Sequence, residues 1–159
     1  MKISAGIMKT CAFDIQISTA EAPGFIDITE DVNNCVKESQ ISNGIVVVFS
    51  KHTTSSITIQ ENEPLLLEDF KILLDKFASE RGNYKHNDFD VRTVHMHEDE
   101  CPNGHSHCQH LLLGSSESIP LINSEMALGE WQRIFLVELD SKKAMQINHR
   151  ALVIQIIGQ

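Results

Sequence analysis

At 159 residues, with 42% hydrophobic and 22% charged residues, the chain has the size and make-up of one soluble globular domain, which excludes the disordered and fibrous classes. Its formal net charge of -9 argues against a nucleic-acid partner, since such binders set clustered lysine and arginine against phosphates. An anionic small molecule stays open, because the local charge of a pocket can oppose the global one.

No apolar run approaches the roughly 18 residues of a membrane span, and the N-terminal stretch lacks the continuous apolar core of a signal peptide. The expectation is therefore no membrane partner and a cytoplasmic location. Four cysteines, Cys11, Cys35, Cys101 and Cys108, are too few and too scattered for a disulfide framework. Cys11 and Cys35 read as reduced, half-buried thiols. Residues 1–159 read as a single domain, with about the first ten a poorly ordered lead.

Taken in order, Cys11 to Thr19 alternates with period two, placing Phe13, Ile15 and Ile17 on one face of a strand. Pro23 and Gly24 break the pattern, and a helix is predicted from about Thr29 to Ile41, capped by Thr29 or Glu30 and stopped by Asn43-Gly44. Gly44 to Lys51 is β-branched and nearly all apolar, as for a strand covered on both faces. Ser55 to Asn62 is a further strand. Pro64 opens a helix whose leucines and phenylalanines recur at three-to-four spacing to about Ala78.

From Glu80 to Asn103 the signals are those of a long loop, a length that within a compact domain goes with function or mobility. After a short apolar piece, His110 to Gly114, four stretches read as an antiparallel meander: Ser115 to Ile122, Glu125 to Trp131, Arg133 to Asp140, and Arg150 to Gly158. The turns between them are Asn123-Ser124 and Ser141 to Lys143. Strands before and after two main helices indicate α+β.

Six of the eight histidines fall between His86 and His110. Clustered imidazoles suggest metal binding or proton transfer, because histidine is a common neutral metal ligand and titrates near physiological pH. A solvated histidine-rich loop accounts for the clustering equally well. Cys101, His105, His107 and Cys108 place four soft or borderline ligands close together, yet no CxxC occurs and adjacent His107 and Cys108 point apart on an extended chain, which disfavours a structural zinc knuckle. His86 and Asp88 share one side if their backbone is extended, so they can ligate one metal or orient one another.

His52, Thr53 and Thr54 stand where one strand ends and the next begins, and Glu61 and Asn62 close the far end of that second strand. Gly114-Ser115-Ser116 can present amides and hydroxyls to a phosphate, or simply form a tight turn. Trp131, beside Gln132, is either a core residue or a stacking surface for a ligand.

Together, His52-Thr53-Thr54, Ile57 to Asn62, Tyr84-x-His86-Asn87-Asp88, Asn103 to His107, Leu112 to Ser116 and Ala127 to Gln132 resemble the YjbQ family in content and order, from about Phe13 to Gly158. The resemblance implies an α+β fold on an antiparallel, sandwich-like sheet, a homotrimer with polar pockets near subunit boundaries, and thiamine phosphate synthase-type activity. It also implies that His52, Glu61, His86, Asp88, Asn103 and His107 line the pocket, with Trp131 and Gln132 nearby, and gives less weight to His105 and His110. The chain departs from the pattern at Gln109, where lysine is common, at Glu130, where threonine is common, and in a longer Val91 to Pro102 connection.

Three functions remain open. In a transferase joining a pyrimidine pyrophosphate to a thiazole phosphate, Mg²⁺ held by Asp88 and Glu61 would stabilise the leaving pyrophosphate while Thr53, Asn62, Asn103, Ser115, Ser116, Trp131 and Gln132 bind substrate. Alternatively, Zn²⁺ on His52, His86 and His107, with Asp88 as fourth or outer ligand, suits hydrolysis. The third is a trimeric small-molecule binder without turnover.

Overall fold

The computed structural model describes residues 7–98, 100–146 and 149–159. Most of the expected N-terminal lead lies outside these residues, but Lys9 and Thr10 already belong to the first strand, β1 (Lys9–Ser18). The elements that follow are β2 (Gly24–Asp27), α1 (Thr29–Ser39), β3 (Gly44–Ser50), β4 (Ser55–Glu61), α2 (Pro64–Phe77), a 3-10 turn (Lys85–Asn87) and α3 (Gly104–Leu113). The chain ends with β5 (Ser116–Ile122), β6 (Glu125–Met126), β7 (Gln132–Glu138), α4 (Ser141–Gln146) and β8 (His149–Gly158).

The strands form two antiparallel sheets, a five-stranded one in the order β1-β8-β3-β5-β6 and a three-stranded one in the order β2-β7-β4. This is the expected α+β sandwich, but the C-terminal third is not a meander. β7 leaves its sequence neighbours for the small sheet, and β8 returns between β1 and β3. Within the stretch Glu125 to Trp131 only two residues are strand. The predicted turn at Ser141 to Lys143 opens a short helix, whose first amides are met by Asp140, its backbone oxygen accepting from Ala144 N and its carboxylate from Lys143 N.

Two apolar clusters follow from strand alternation. Val46, Val48, Leu152, Ile154 and Ile156 from the large sheet meet Ile57, Ile134 and Leu136 from the small one, with Val32 and Val36 of α1 filling the open side. The other face of β7 presents Phe135 and Val137 to Leu74 of α2, with Leu67 and Leu113 packed alongside. β7 is thus the strand buried on both faces. β3 is not, because Ile45 and Phe49 remain exposed on its outer side.

Helix α1 begins at Thr29 without a side-chain cap. The Thr29 hydroxyl is diverted, donating to Asp27 Oδ1 at 2.7 Å and accepting from Ile134 N at 2.9 Å, which ties α1 to β7. In α2, Glu63 supplies the cap, its carboxylate accepting from Leu65 N and Leu66 N ahead of Pro64's turn.

The expected apolar piece at His110 to Gly114 is the end of the ten-residue helix α3, which the sequence hides because a glycine, polar residues and histidines fill its first two turns. No helix among the described residues is long and apolar enough to cross a membrane.

Candidate functional site

The loop from β3 to β4 passes from one sheet to the other, so His52, Thr53 and Thr54 lie at one end of the sandwich. There they meet the end of β7, the start of β8 and the start of α3. The result is a cavity of about 650 Å³ lined by His52, Thr53, Thr54, His86, Arg92, Val94, His95, His97, Glu100, Asn103, His107, Asp140, Lys143 and Arg150.

Its floor is a locked polar network. Arg150, only 5% exposed, donates from Nε to Glu138 Oε2 at 2.6 Å, and from Nη2 both to Glu138 Oε1 and to the Thr54 hydroxyl at 3.2 Å. Glu138 is fully buried and also accepts from the Leu139 and Asp140 amides at 3.0 Å. A buried carboxylate of this kind is tolerable only because every strong acceptor direction is met. Next to it, Asn103 donates from Nδ2 to Asp140 Oδ2 at 2.8 Å, while its own Oδ1 is buried with no partner among the described residues.

His86 and His107 come together through the packing of two segments that are distant in sequence. Gly104 N donates to Asn87 Oδ1 at 2.9 Å, and a Cβ on Gly104 would stand 2.5 Å from Tyr84 Cβ. Only glycine lets the Tyr84 to Asn87 turn seat against the start of α3 this closely. The two imidazoles then stand edge to face with centroids 4.6 Å apart, and His86 Nε2 is buried without a partner. Burial holds the His107 pKa below the ordinary histidine value, and the neighbouring His86 adds to that effect. A neutral ring with one donor and one acceptor nitrogen suits proton exchange.

His52 behaves differently. Its Nε2 accepts from Ala151 N at 3.0 Å, so the proton of the neutral ring sits on Nδ1 and no free lone pair is left for a metal. Burial, followed by the nearby Arg150 guanidinium, lowers its pKa. Asp88 is exposed and absent from the cavity wall. The extended backbone that would have aligned it with His86 is instead a 3-10 turn ending at Asp88. Among the described residues no three His, Cys, Asp or Glu groups converge closely enough to hold a metal ion. For Zn²⁺, then, His86 and His107 offer two imidazoles, one with an unpartnered nitrogen, whereas His52 and Asp88 do not join them; Mg²⁺, which takes oxygen ligands, is not fitted by the pair.

Glu61, Asn62 and Trp131 lie at the opposite end of β4, in a separate groove of about 350 Å³ with Glu63, Glu130 and Arg133. Gln132 pairs with Glu61 and sits beside that groove, its side-chain Oε1 accepting from Gly129 N. From Ser55 to Glu61 is six steps of strand, about 20 Å at about 3.3 Å per residue. Within one chain these residues cannot reach His107. Trp131 is 66% exposed and so is no core residue. Ser115 shares a 3.1 Å hydrogen bond with His110 Nε2, and Ser116 lies exposed at the start of β5, so neither lines the cavity.

Several lining residues escaped the sequence reading. Arg92, His95, His97 and Glu100 come from the longer Val91 to Pro102 connection, Asp140 follows β7, Lys143 lies in α4 and Arg150 is at the start of β8. Arg92 donates to His95 O at 3.0 Å and Glu100 Oε2 at 3.3 Å. The length of the connection was the available signal. His105 is buried in α3 away from the cavity, near Tyr84. All four cysteines are free, Cys11 half-buried as expected and Cys35 buried, and Cys108 shares helix α3 with His107, so the extended-chain argument about that pair does not apply.

Residues 13–159 match the model of the YjbQ-like UPF0047 family. The chain belongs to that family. A UPF0047 protein of Methanothermobacter thermautotrophicus is 37% identical over 140 residues, covering 88% of this chain and 90% of that protein. A YbjQ-like protein of unknown function from Sulfolobus solfataricus superposes with a TM-score of 0.83 at 33% identity, covering 96% of this chain and all of the other. A yjbq/upf0047 family protein of Clostridium acetobutylicum gives a TM-score of 0.76 at 33% identity, covering 91% and 98%. Gln109, the position where the resemblance expects lysine, is buried away from the cavity, and its Nε2 donates to Leu74 O at 3.3 Å and Ala78 O at 2.9 Å. The side chain here ties α3 to the end of α2, and its loss of a lysine charge does not alter the cavity.

Proposed function

We propose that this family member binds a phosphorylated small molecule in the histidine-lined cavity and, with His86 and His107 exchanging protons, transfers or cleaves a group on it. The observation that carries the reading is charge. In a chain of net charge -9, the cavity gathers Arg92, Lys143 and Arg150, with Arg92 paired to Glu100, Arg150 to the buried Glu138 and Asp140 accepting from Asn103, so its wall is a braced, charge-balanced set of donors where the chain as a whole is acidic. Fixed cationic donors in a sheltered site favour anionic oxygens and the charge that develops on a leaving phosphate.

The narrower version is the thiamine phosphate synthase type, in which pyrophosphate leaves the methylene carbon carried by the pyrimidine as the thiazole nitrogen bonds to that carbon. Asp88 and Glu61 stand outside the cavity, so in this version the departing charge falls to the arginines and lysine. The test is formation of thiamine phosphate from the two substrates, alongside ³¹P line broadening of inorganic diphosphate by the wild type and by His107→Asn. Broadening without product supports a binder without turnover. No broadening removes the anion reading.

A second reading, a divalent ion such as Zn²⁺ on His86 and His107 serving hydrolysis, is favoured by the unpartnered His86 Nε2 and by imidazole's preference for transition metals. Metal content below about 0.1 equivalent after chelator-free purification would remove it, since tight sites co-purify with their ion.

We also propose self-association as a homotrimer in the cytoplasm. Exposed Ile45, Phe49, Ile122 and Ile157 on the outer face of the large sheet support an interface, and four free thiols suit a reducing compartment.

A further inference from the structure

Helix α2 has one side committed to the fold and one side left bare. Leu74 is buried, and Leu67 packs beside it against Phe135 and Val137 of β7. On the far side Leu65, Ile72, Leu73 and Phe77 stay 75%, 52%, 61% and 52% exposed. At 3.6 residues per turn Leu65, Asp69, Ile72, Leu73 and Lys76 fall on one face, with Phe77 at its edge, so the bare side is an apolar stripe along a helix of 14 residues. A surface helix ordinarily turns charged residues outward, and this one turns leucine, isoleucine and phenylalanine. Beside Leu73 a small groove of about 150 Å³, walled by Phe25, Phe70, Leu74 and Leu113, has room for one aliphatic side chain.

The charges of α2 are sorted around that stripe. Lys71 bridges Glu68 at 3.0 Å and Glu21 at 3.4 Å on one flank, and Glu63 caps the first turn. Asp69 and Lys76 stand within the stripe itself, and neither makes a hydrogen bond or ion pair among the described residues. Their spacing is symmetric, Asp69 lying three residues before Ile72 and Lys76 three after Leu73. An antiparallel second copy of α2, centred between Ile72 and Leu73, therefore sets each Asp69 against the other chain's Lys76. A parallel copy would set aspartate against aspartate and lysine against lysine. A patch that matches itself after a two-fold rotation is what two identical chains require, whereas an unrelated partner imposes no such symmetry.

We infer that α2 is a docking face for a second copy of this chain, the two helices packing antiparallel about a two-fold axis with Asp69 paired to Lys76 across the contact. Leu65, Ile72, Leu73 and Phe77 are buried between them. This face lies on the outer side of the small sheet, whereas the exposed residues that support the homotrimer lie on the outer side of the large one, so a single contact cannot cover both. Chains joined at α2 alone form dimers, and trimers joined there form hexamers in which two-fold axes cross the three-fold axis. The apolar side chains supply the affinity and the reciprocal ion pairs fix the antiparallel register.

The test is sedimentation velocity of the full-length protein over a concentration series. The expected mass is that of two or six chains. Asp69→Lys and Lys76→Asp, each at an exposed position, place like charges across the contact and are each expected to raise the dissociation constant of the two-fold contact about tenfold. The double variant restores opposite charges and is expected to assemble within about twofold of the wild type, as for a directly coupled pair. An unchanged circular dichroism spectrum shows that a variant is folded, and either single substitution suffices if the other loses its fold. A species of one or three chains at every concentration overturns the inference, and three chains leave the large-sheet contact standing. An even-numbered assembly that ignores the single substitutions, or that the double variant fails to restore, has its two-fold contact elsewhere and overturns the inference as well.

Discussion

The two ends of the sandwich are drawn from the same strands, β4 and β7, yet they are finished in opposite ways. At the cavity end the polar groups hold one another: Glu138 meets Arg150 and two backbone amides, Thr54 meets Arg150, and Asp140 meets Asn103. At the other end the side chains of Glu61 and Glu130 make no hydrogen bond or ion pair among the described residues and Trp131 is bare. Charges locked in advance keep their orientation when a ligand arrives, so little ordering remains to oppose binding. Groups left loose at a surface contribute to stability only after something covers them.

This contrast can be broken by mutation, and the largest effect is expected at Glu138. Glu138→Gln leaves Arg150 buried beside a neutral amide and should lower unfolding free energy by about 3–5 kcal/mol, as when one member of a buried pair is removed. Glu61→Gln at the opposite end, measured by the same urea titration on dissociated chain, should stay within about 0.5 kcal/mol. Equal losses at both ends would erase the distinction.

Next in size is Gly104→Ala. The new methyl collides with Tyr84, so the expected cost is about 1–3 kcal/mol, with the His86 turn displaced from α3. A change below about 0.5 kcal/mol in thermal unfolding would mean the turn relaxes freely. His107→Asn is expected to leave stability within about 1 kcal/mol and to weaken diphosphate binding about tenfold, equivalent to about 1.4 kcal/mol. Calorimetry showing unchanged affinity would take His107 out of the binding surface.

The smallest effect is expected from pH. His52, His105, His107 and His110 all have pKa values lowered by burial, from an ordinary 6.5. The unfolded chain therefore binds more protons than the folded one below that value, and stability falls as pH drops through the window beneath 6.5. Melting temperature should be level from pH 7 to 8 and decline from 6.5 towards 5, more shallowly in His52→Gln. A melting temperature that rises on acidification would contradict burial of the neutral rings.

The sequence made the strands and the two longest amphipathic helices readable, because β1 alternates cleanly and α2 repeats at helical spacing. It misassigned which strand is covered on both faces. β3 and β7 are both apolar runs, and nothing local distinguishes a face covered by α2 from a face left open. Helix α3 was hidden because its apolar residues are confined to the last turn, while Asn103 just before it and Gly104 at its start serve contacts with Asp140 and Tyr84. At the site, His52, His86, Asn103 and His107 were readable as motif residues and the fold brings them to one cavity. Arg150 and Asp140 were not, since each has a partner far along the chain, Thr54 and Asn103, and neither was Arg92, whose partners His95 and Glu100 lie within the same loop-like connection. Glu61 and Trp131 belonged to the same set of motifs but stand at the far end of the sandwich, a separation that no spacing in sequence reveals.

The connection that carries Arg92, Val94, His95, His97 and Glu100 forms one wall of the cavity while contributing no strand to either sheet. Natural variation there is uncoupled from the register that keeps the protein folded. That wall can be lengthened, shortened or recharged without touching β7, β8 or the Glu138-Arg150 pair. Diversity within the family should therefore accumulate in this stretch first, and recombining it between relatives is a way to exchange specificity without redesigning the fold.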